Sequence, residues 1–274
     1  MRPVLVMFRR SRLAGPAAAF VLLLLLAAVF APLLATHSPT RQDFRAVLTP
    51  PSGEHWFGTD ELGRDVYSRV VHGARISVTV AVLAVGFGTI VGVLIGLAAG
   101  YVGGAVDDVL MRAIDILLAF PGILLAILIA AILGSGLFPV VLAVGVYSVP
   151  TFARVMRSSV LSIKEREYVE GARAAGASDL RIVLRHILVN AFGPVLVYAT
   201  LLMGTAILTA AALSFLGVGV APPTPEWGAM ISSGRSVMRD GAHVVLFPGI
   251  AIFLTVLSFN VLGDALRDAF DPKR

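Results

Sequence analysis

Apolar and polar positions are sorted into long blocks along this chain. Leu13–Ala35, Ile76–Val106 and Ile116–Ala153 contain no charged residue, and Ala191–Phe215 and Ala242–Gly263 continue the pattern. A run of about 20 apolar residues is enough to cross a bilayer as a helix. Ile116–Ala153 is too long for one crossing and is broken near its middle by Gly134-Ser135-Gly136 and Pro139, so it predicts two spans joined by a tight turn. Pro121 and Pro150 are expected to kink them. The blocks therefore predict an all-α polytopic membrane protein of about six transmembrane helices. Residues 1–12 form a basic head, 13–35 the first span, 36–75 a polar segment, 76–265 a five-helix core, and 266–274 a tail.

Finer patterns divide these blocks. Leu13–Ala35 follows a head bearing Arg2, Arg9, Arg10 and Arg12, an order shared with signal peptides. Its length and the spans that follow favour an uncleaved first helix. Gly88, Gly92, Gly96 and Gly100 recur every four residues, which aligns them on one helix face and lets a second helix approach closely. Asp107, Asp108, Arg112 and Asp115 read as a brief charged turn, with Asp115 at the membrane interface rather than in a proton relay.

Three polar stretches remain: 36–75, 154–190 and 216–242. The second is amphipathic. Val169, Ala172, Gly176, Leu180, Val183 and Ile187 recur at helical spacing, with charges falling largely between them. Gly176 suits a helix C′ position, and Ser178 or Asp179 suits the cap of a second helix. The expectation is helix, short turn, helix. Periodicity alone leaves two readings open, a docking element or a solvated loop with helical ends. In 36–75, Asp60 is expected to cap a helix, and the acids beside Arg64 and Arg69 to form weak surface ion pairs. In 216–242, Trp227 is expected to anchor at the membrane interface.

Composition narrows the class. Hydrophobic residues make up 57% of the 274 and charged residues 14%, with a mean hydropathy of +0.89. A soluble domain carries about 25% charged residues. The net charge of +5 is a matter of membrane sidedness and not a nucleic-acid signal. Of the 22 Lys and Arg residues, fifteen fall in the head, the Arg112 turn, the 154–190 region and the tail. That bias places both termini and the amphipathic stretch in the cytoplasm. No GxxxxGK[ST] loop is present, the two lysines being Lys164 and Lys273, and no HExxH pair or nucleophile–base set stands out. The five histidines are scattered and cysteine is absent, so no metal site is expected.

Three groups of residues resemble a known family. Glu170-Gly171-Ala172, then Gly176, then Ile187-Leu188 resembles the cytoplasmic EAA loop of permease subunits in bacterial ABC importers. Gly171 stands where that loop usually has Ala, and Val189 where Pro often follows. Trp56-Phe57-Gly58-Thr59-Asp60 with Gly63-Arg64-Asp65 resembles a segment of the dipeptide, oligopeptide and nickel subgroup, in the second permease of its pair. The stretch from Pro222 to Trp227 resembles a further segment of that subgroup.

The resemblance implies a type I importer permease with a cytoplasmic coupling helix, in the bacterial inner membrane. It implies ATPase contact through Glu170, Gly171, Ala172, Gly176, Ala177, Ser178 and Asp179. It makes Trp56, Gly58, Asp60, Arg64, Asp65, Pro223 and Trp227 candidates for docking a solute-binding protein. It implies a heterodimer with a second permease and two cytosolic ATPase subunits or domains, which would carry ATP and Mg. This chain itself would hold no cofactor and catalyse no reaction. The modal solute is a di- or oligopeptide. Nickel and a stand-alone transporter or channel are the alternatives.

Overall fold

The computed structural model describes residues 11–270. Within them every regular element is helical. The helices are α1 (Ala14–Val29), α2 (Ala31–Leu34), α3 (Val66–Val102), α4 (Gly104–Ala119), α5 (Gly122–Leu133), α6 (Leu137–Lys164), α7 (Glu167–Ala174), α8 (Asp179–Ile182), α9 (Leu188–Phe215), α10 (Trp227–Gly234) and α11 (His243–Phe270). A π-helical turn, Val183–Ile187, joins α8 to α9 without a break, giving one helix over Asp179–Phe215. Most of the basic head, including Arg2, Arg9 and Arg10, and the tail lysine and arginine at 273 and 274 lie outside the described residues.

Among the described residues, four helices are long and apolar enough to cross a membrane: α3, α6, the Asp179–Phe215 helix and α11. The expected span after residue 116 takes another form. α5 has 12 residues, about 18 Å of helix, and does not reach across alone. It continues α4 through an 88° bend at Phe120-Pro121, and the pair is apolar enough to count as a fifth span if it crosses as one broken helix. The bend follows from chemistry. Proline removes an amide donor and drives the preceding residue out of the α region, and Phe120 is extended with ψ 132°. The stretch read as a charged turn is thus helix α4. α1 covers 16 apolar residues and stops at Phe30, ahead of Pro32 in the first turn of α2.

The centre of the bundle is α3 packed along α6, with α9 against both and α11 against α9. The glycine row makes this approach possible. A Cβ on Gly88 would lie 2.6 Å from the Ser148 Cβ, one on Gly92 2.5 Å from the Phe152 Cβ, one on Gly96 2.2 Å from the Ala153 carbonyl oxygen, and one on Gly100 2.8 Å from the Val160 Cβ. Phe152, Met156 and Val160 on α6 are fully buried. Pro150 sits inside α6 without ending it.

Candidate functional site

Two polar regions lie at opposite ends of α3. The first, residues 36–65, folds into a clasp around the start of that helix. Asp65, not Asp60, caps α3, its carboxylate accepting from the Ser68 amide at 2.7 Å. Asp60 instead gathers the loop behind the cap. It accepts from the amides of Leu62 and Arg64 at 2.9 Å, pairs with the Arg64 Nε at 2.7 Å, and stands 3.4 Å from the Arg69 Nε. Arg69 also donates to the Pro39 carbonyl at 2.9 Å.

Asp60, Arg64, Asp65 and Arg69 are all at most 5% exposed. The expectation of weak surface pairs is therefore corrected. These are buried charges that lean on one another, with the Arg69 Nε left without a hydrogen bond of its own, and removing one partner from such a set is costly. Gly63 closes the turn at φ +70°, and a Cβ there would fall 1.8 Å from the Asp43 carbonyl oxygen. Gly58 (φ +74°) is hemmed in by the Thr49 carbonyl and the His243 ring. His243 Nε2 in turn donates to the Thr59 carbonyl at 2.9 Å, tying the clasp to the start of α11.

Burial also redistributes the residues expected to dock a partner. Gly58, Asp60, Arg64 and Asp65 are inside the clasp. Trp227 is buried, with its indole N–H on the Val70 carbonyl at 2.9 Å, and a Cβ on Gly73 would meet its ring at 2.6 Å. It locks α10 onto α3 and is not an interfacial anchor. Trp56, about half exposed and resting on Tyr67, and the exposed Pro223 are the members of that set that face outward. Glu226, next to Trp227, caps α10 by accepting from the Ala229 amide at 2.8 Å, and burial pushes its carboxyl above the usual range.

The second region is the amphipathic stretch at the far end of α3. α7 ends in a Schellman turn. The Gly176 amide donates to the Arg173 carbonyl and the Ala177 amide to the Ala172 carbonyl, both at 3.0 Å, with Gly176 at φ +81°. Ser178 occupies the cap position of α8 in extended geometry, but its hydroxyl makes no capping bond. The helix–turn–helix expected over this stretch is thus present, with a different buried face. Val169, Ile182 and Ile187 are fully buried, whereas Leu180 is 69% exposed. Tyr168 and Leu184 are exposed with it, as are Glu170, Gly171, Gly176 and Asp179. Nothing lies within 4 Å of a Cβ built on Gly171 or Gly176. Val189 replaces the usual proline, and here the helix simply runs on from Asp179 to Phe215.

Bonds to neighbouring helices hold this stretch in place. The Tyr101 hydroxyl, at the end of α3, donates to Asp179 at 2.5 Å. Lys164 Nζ donates to the Gly100 carbonyl at 3.0 Å. Arg157 on α6 forms a two-pronged pair with Asp107 on α4 at 2.6 Å, and Arg154 reaches Asp115 at 2.7 Å. Two of the acids of α4 are thus paired with α6. Asp115 is exposed and paired. A cavity of about 820 Å³ opens beside the stretch, lined among others by Ser158, Ser162, Arg166, Asn190, Tyr198 and Arg267. Local sequence patterns gave no signal for this cavity, because its polar groups come from three helices.

A bundle of long, bent and broken apolar helices carrying a docked amphipathic helix pair defines a polytopic transport permease. The comparisons sharpen that class. Residues 92–274 match the family described as binding-protein-dependent transport system inner membrane component, and residues 2–51 match the N-terminal transmembrane domain of oligopeptide transport permease C. The chain belongs to this family of inner-membrane components, and is a permease subunit of an ABC importer.

Among curated relatives, it is 51% identical over 267 residues to the glutathione transport system permease protein GsiD of Escherichia coli O6:K15:H31 (strain 536 / UPEC). The same identity holds for GsiD of Shigella boydii serotype 4 (strain Sb227), with 97% of this chain and 88% of the relative covered in both cases. Among solved structures, an inward-facing MetNI methionine ABC transporter superimposes with a TM-score of 0.61 at 19% identity, covering 74% of this chain and 97% of that one. An amino acid ABC transporter determined with histidines gives 0.55 at 17%, covering 72% and 92%. These two establish the shared fold of type I importer permeases.

Proposed function

We propose that this permease forms half of a path for a small peptide-like solute, glutathione or a short peptide, with its amphipathic stretch seated on a cytosolic ATPase. The solute class rests on the 51% identity to permeases named for glutathione transport. The second permease, the two ATPase subunits carrying ATP and Mg, and the solute-binding protein follow from the family. The positive-inside bias puts both termini and the 154–190 segment in the cytoplasm.

The carrying observation for coupling is the split between two faces. Val169, Ile182 and Ile187 anchor the helix pair to the bundle while Tyr168, Leu180 and Leu184 project from it, flanked by Glu170 and Asp179. An exposed apolar strip with flanking charge suits a groove on a partner. In this reading the chain is not itself an enzyme. It transmits ATPase closure to the bundle as a switch between two packed arrangements. The cavity lined by Arg166 and Arg267 offers hydroxyl, amide and cationic groups along a mainly apolar wall, which suits the carboxylates and peptide units of such a solute.

The test is uptake of labelled glutathione and dipeptides in cells lacking the chain and complemented with wild type or Leu180→Asp. The wild type restores uptake of one of these solutes. The variant reaches the membrane and assembles with the second permease but loses solute-stimulated ATP hydrolysis. Unaltered coupling in Leu180→Asp overturns the role of the strip, and uptake indifferent to the chain overturns the solute class.

A further inference from the structure

We propose that the clasp holds a divalent metal ion of the zinc class through His37, Glu54 and His55. Glu54 and His55 are neighbours in sequence and His37 lies 17 residues before Glu54, and the fold brings one ligand atom from each to within 4.8 Å of the others. The two imidazole rings lie with centroids 4.7 Å apart. Around a tetrahedral ion with bonds of about 2.0–2.1 Å, ligand atoms stand roughly 3.4 Å apart. Closing the remaining gap takes rotation of the His37 and Glu54 side chains, both of which are on the surface.

The surroundings of His55 select this use. Its Nδ1 is 2.9 Å from the Asp65 Oδ1. Asp65 is 2% exposed and held by the Ser68 amide, so it stays an acceptor and His55 Nδ1 is the donor. That leaves the Nε2 lone pair for an ion, with a carboxylate behind the imidazole fixing its tautomer and ring plane. His37 Nδ1 lies 3.0 Å from the Thr36 hydroxyl and 3.7 Å from the same Asp65 Oδ1, so a small rotation of this exposed ring keeps Nδ1 near those oxygens.

Charge closes the argument. The two neutral imidazoles add nothing, and Glu54 with Asp65 balances a divalent cation. Two imidazoles and one carboxylate suit zinc and its borderline neighbours better than magnesium or calcium, which prefer all-oxygen sites. Three protein ligands leave a fourth position for water. The ion would join the chain just after α2, the loop at Glu54–His55 and, through Asp65, the cap of α3.

The test uses the importer purified with its partner subunits, stripped with chelator and equilibrated with zinc. Metal content is read by mass spectrometry for wild type, His37→Ala and Glu54→Gln. Wild type carries one equivalent more than either variant, zinc raises the melting temperature of wild type and not of the variants, and all three melt alike in chelator. With cobalt in place of zinc, wild type shows the intense visible bands of a tetrahedral site and the variants lose them. Equal metal content in the three proteins, or a zinc-insensitive wild type, overturns the site. Should His37→Ala fail to assemble, Glu54→Gln decides alone, since Glu54 is exposed and its replacement removes only a carboxylate oxygen.

Discussion

The clasp and the amphipathic stretch are both polar, glycine-punctuated interruptions between apolar helices, and they put their polar residues to opposite use. In the clasp, charges are turned inward. Asp60, Arg64, Asp65 and Arg69 bury one another and organise the loop. In the amphipathic stretch, Glu167, Glu170, Arg173, Arg181 and Arg185 stay exposed, and a small buried apolar set does the anchoring. Gly63 is required by a neighbouring carbonyl, whereas Gly171 and Gly176 face open space. The clasp is complete within the chain. The amphipathic stretch offers a face that the chain does not cover.

That contrast can be broken by substitution. The largest effect is expected from Asp60→Ala, which leaves Arg69 buried without its paired carboxylate and Arg64 with Glu61 alone, and costs about 3–5 kcal/mol. Thermal melting of the detergent-solubilised complex reads it, and a variant melting like wild type would mean the clasp charges are not mutually dependent. Gly63→Ala combines a left-handed backbone with a clash on Asp43 and is expected to cost roughly 2–4 kcal/mol. Proteolytic sensitivity of the clasp should rise in step.

In the amphipathic stretch, Gly176→Ala meets only the backbone penalty, about 1–2 kcal/mol, confined to the Schellman turn. Its expected signature is loss of solute-stimulated ATP hydrolysis with the melting temperature of the bundle nearly unchanged. A uniform drop in stability with coupling intact would reverse the assignment. Gly171→Ala is the smallest and carries the opposite sign. It is an exposed helical glycine with room for a methyl group, so alanine should stabilise α7 by up to about 1 kcal/mol. Slower amide exchange across Glu167–Ala174 measures it.

Much of this architecture was legible in the order of residues. Apolar runs located the long helices, the glycine row every four residues faces α6, and Gly176 does terminate α7. What escaped was decided by pairing across the fold. Asp107 and Asp115 resemble a turn until Arg157 and Arg154 arrive from 50 and 39 residues away to hold them on a helix. Asp60 looks like a surface acid because nothing local says that the two arginines beside it will be buried. Leu180 fits the apolar period but projects outward, because the Gly176 turn resets the helical phase and gives the inward positions to Ile182 and Ile187. The helix pair was thus legible by position, and its inner and outer faces only by packing.

α3 has one consequence beyond the helix packing it provides. Its first residues are clamped by the clasp, and its last turn is fastened to Asp179 by Tyr101 and to Lys164 by the Gly100 carbonyl. At about 1.5 Å per residue, its 37 residues make a rod of roughly 55 Å. A rod gripped at both ends behaves as a lever. If its inner end serves as the fulcrum, a tilt of 10° carries the other by roughly 10 Å on that length. Such a rod would tie a displacement at one face of the membrane to one at the other without any relay of side chains.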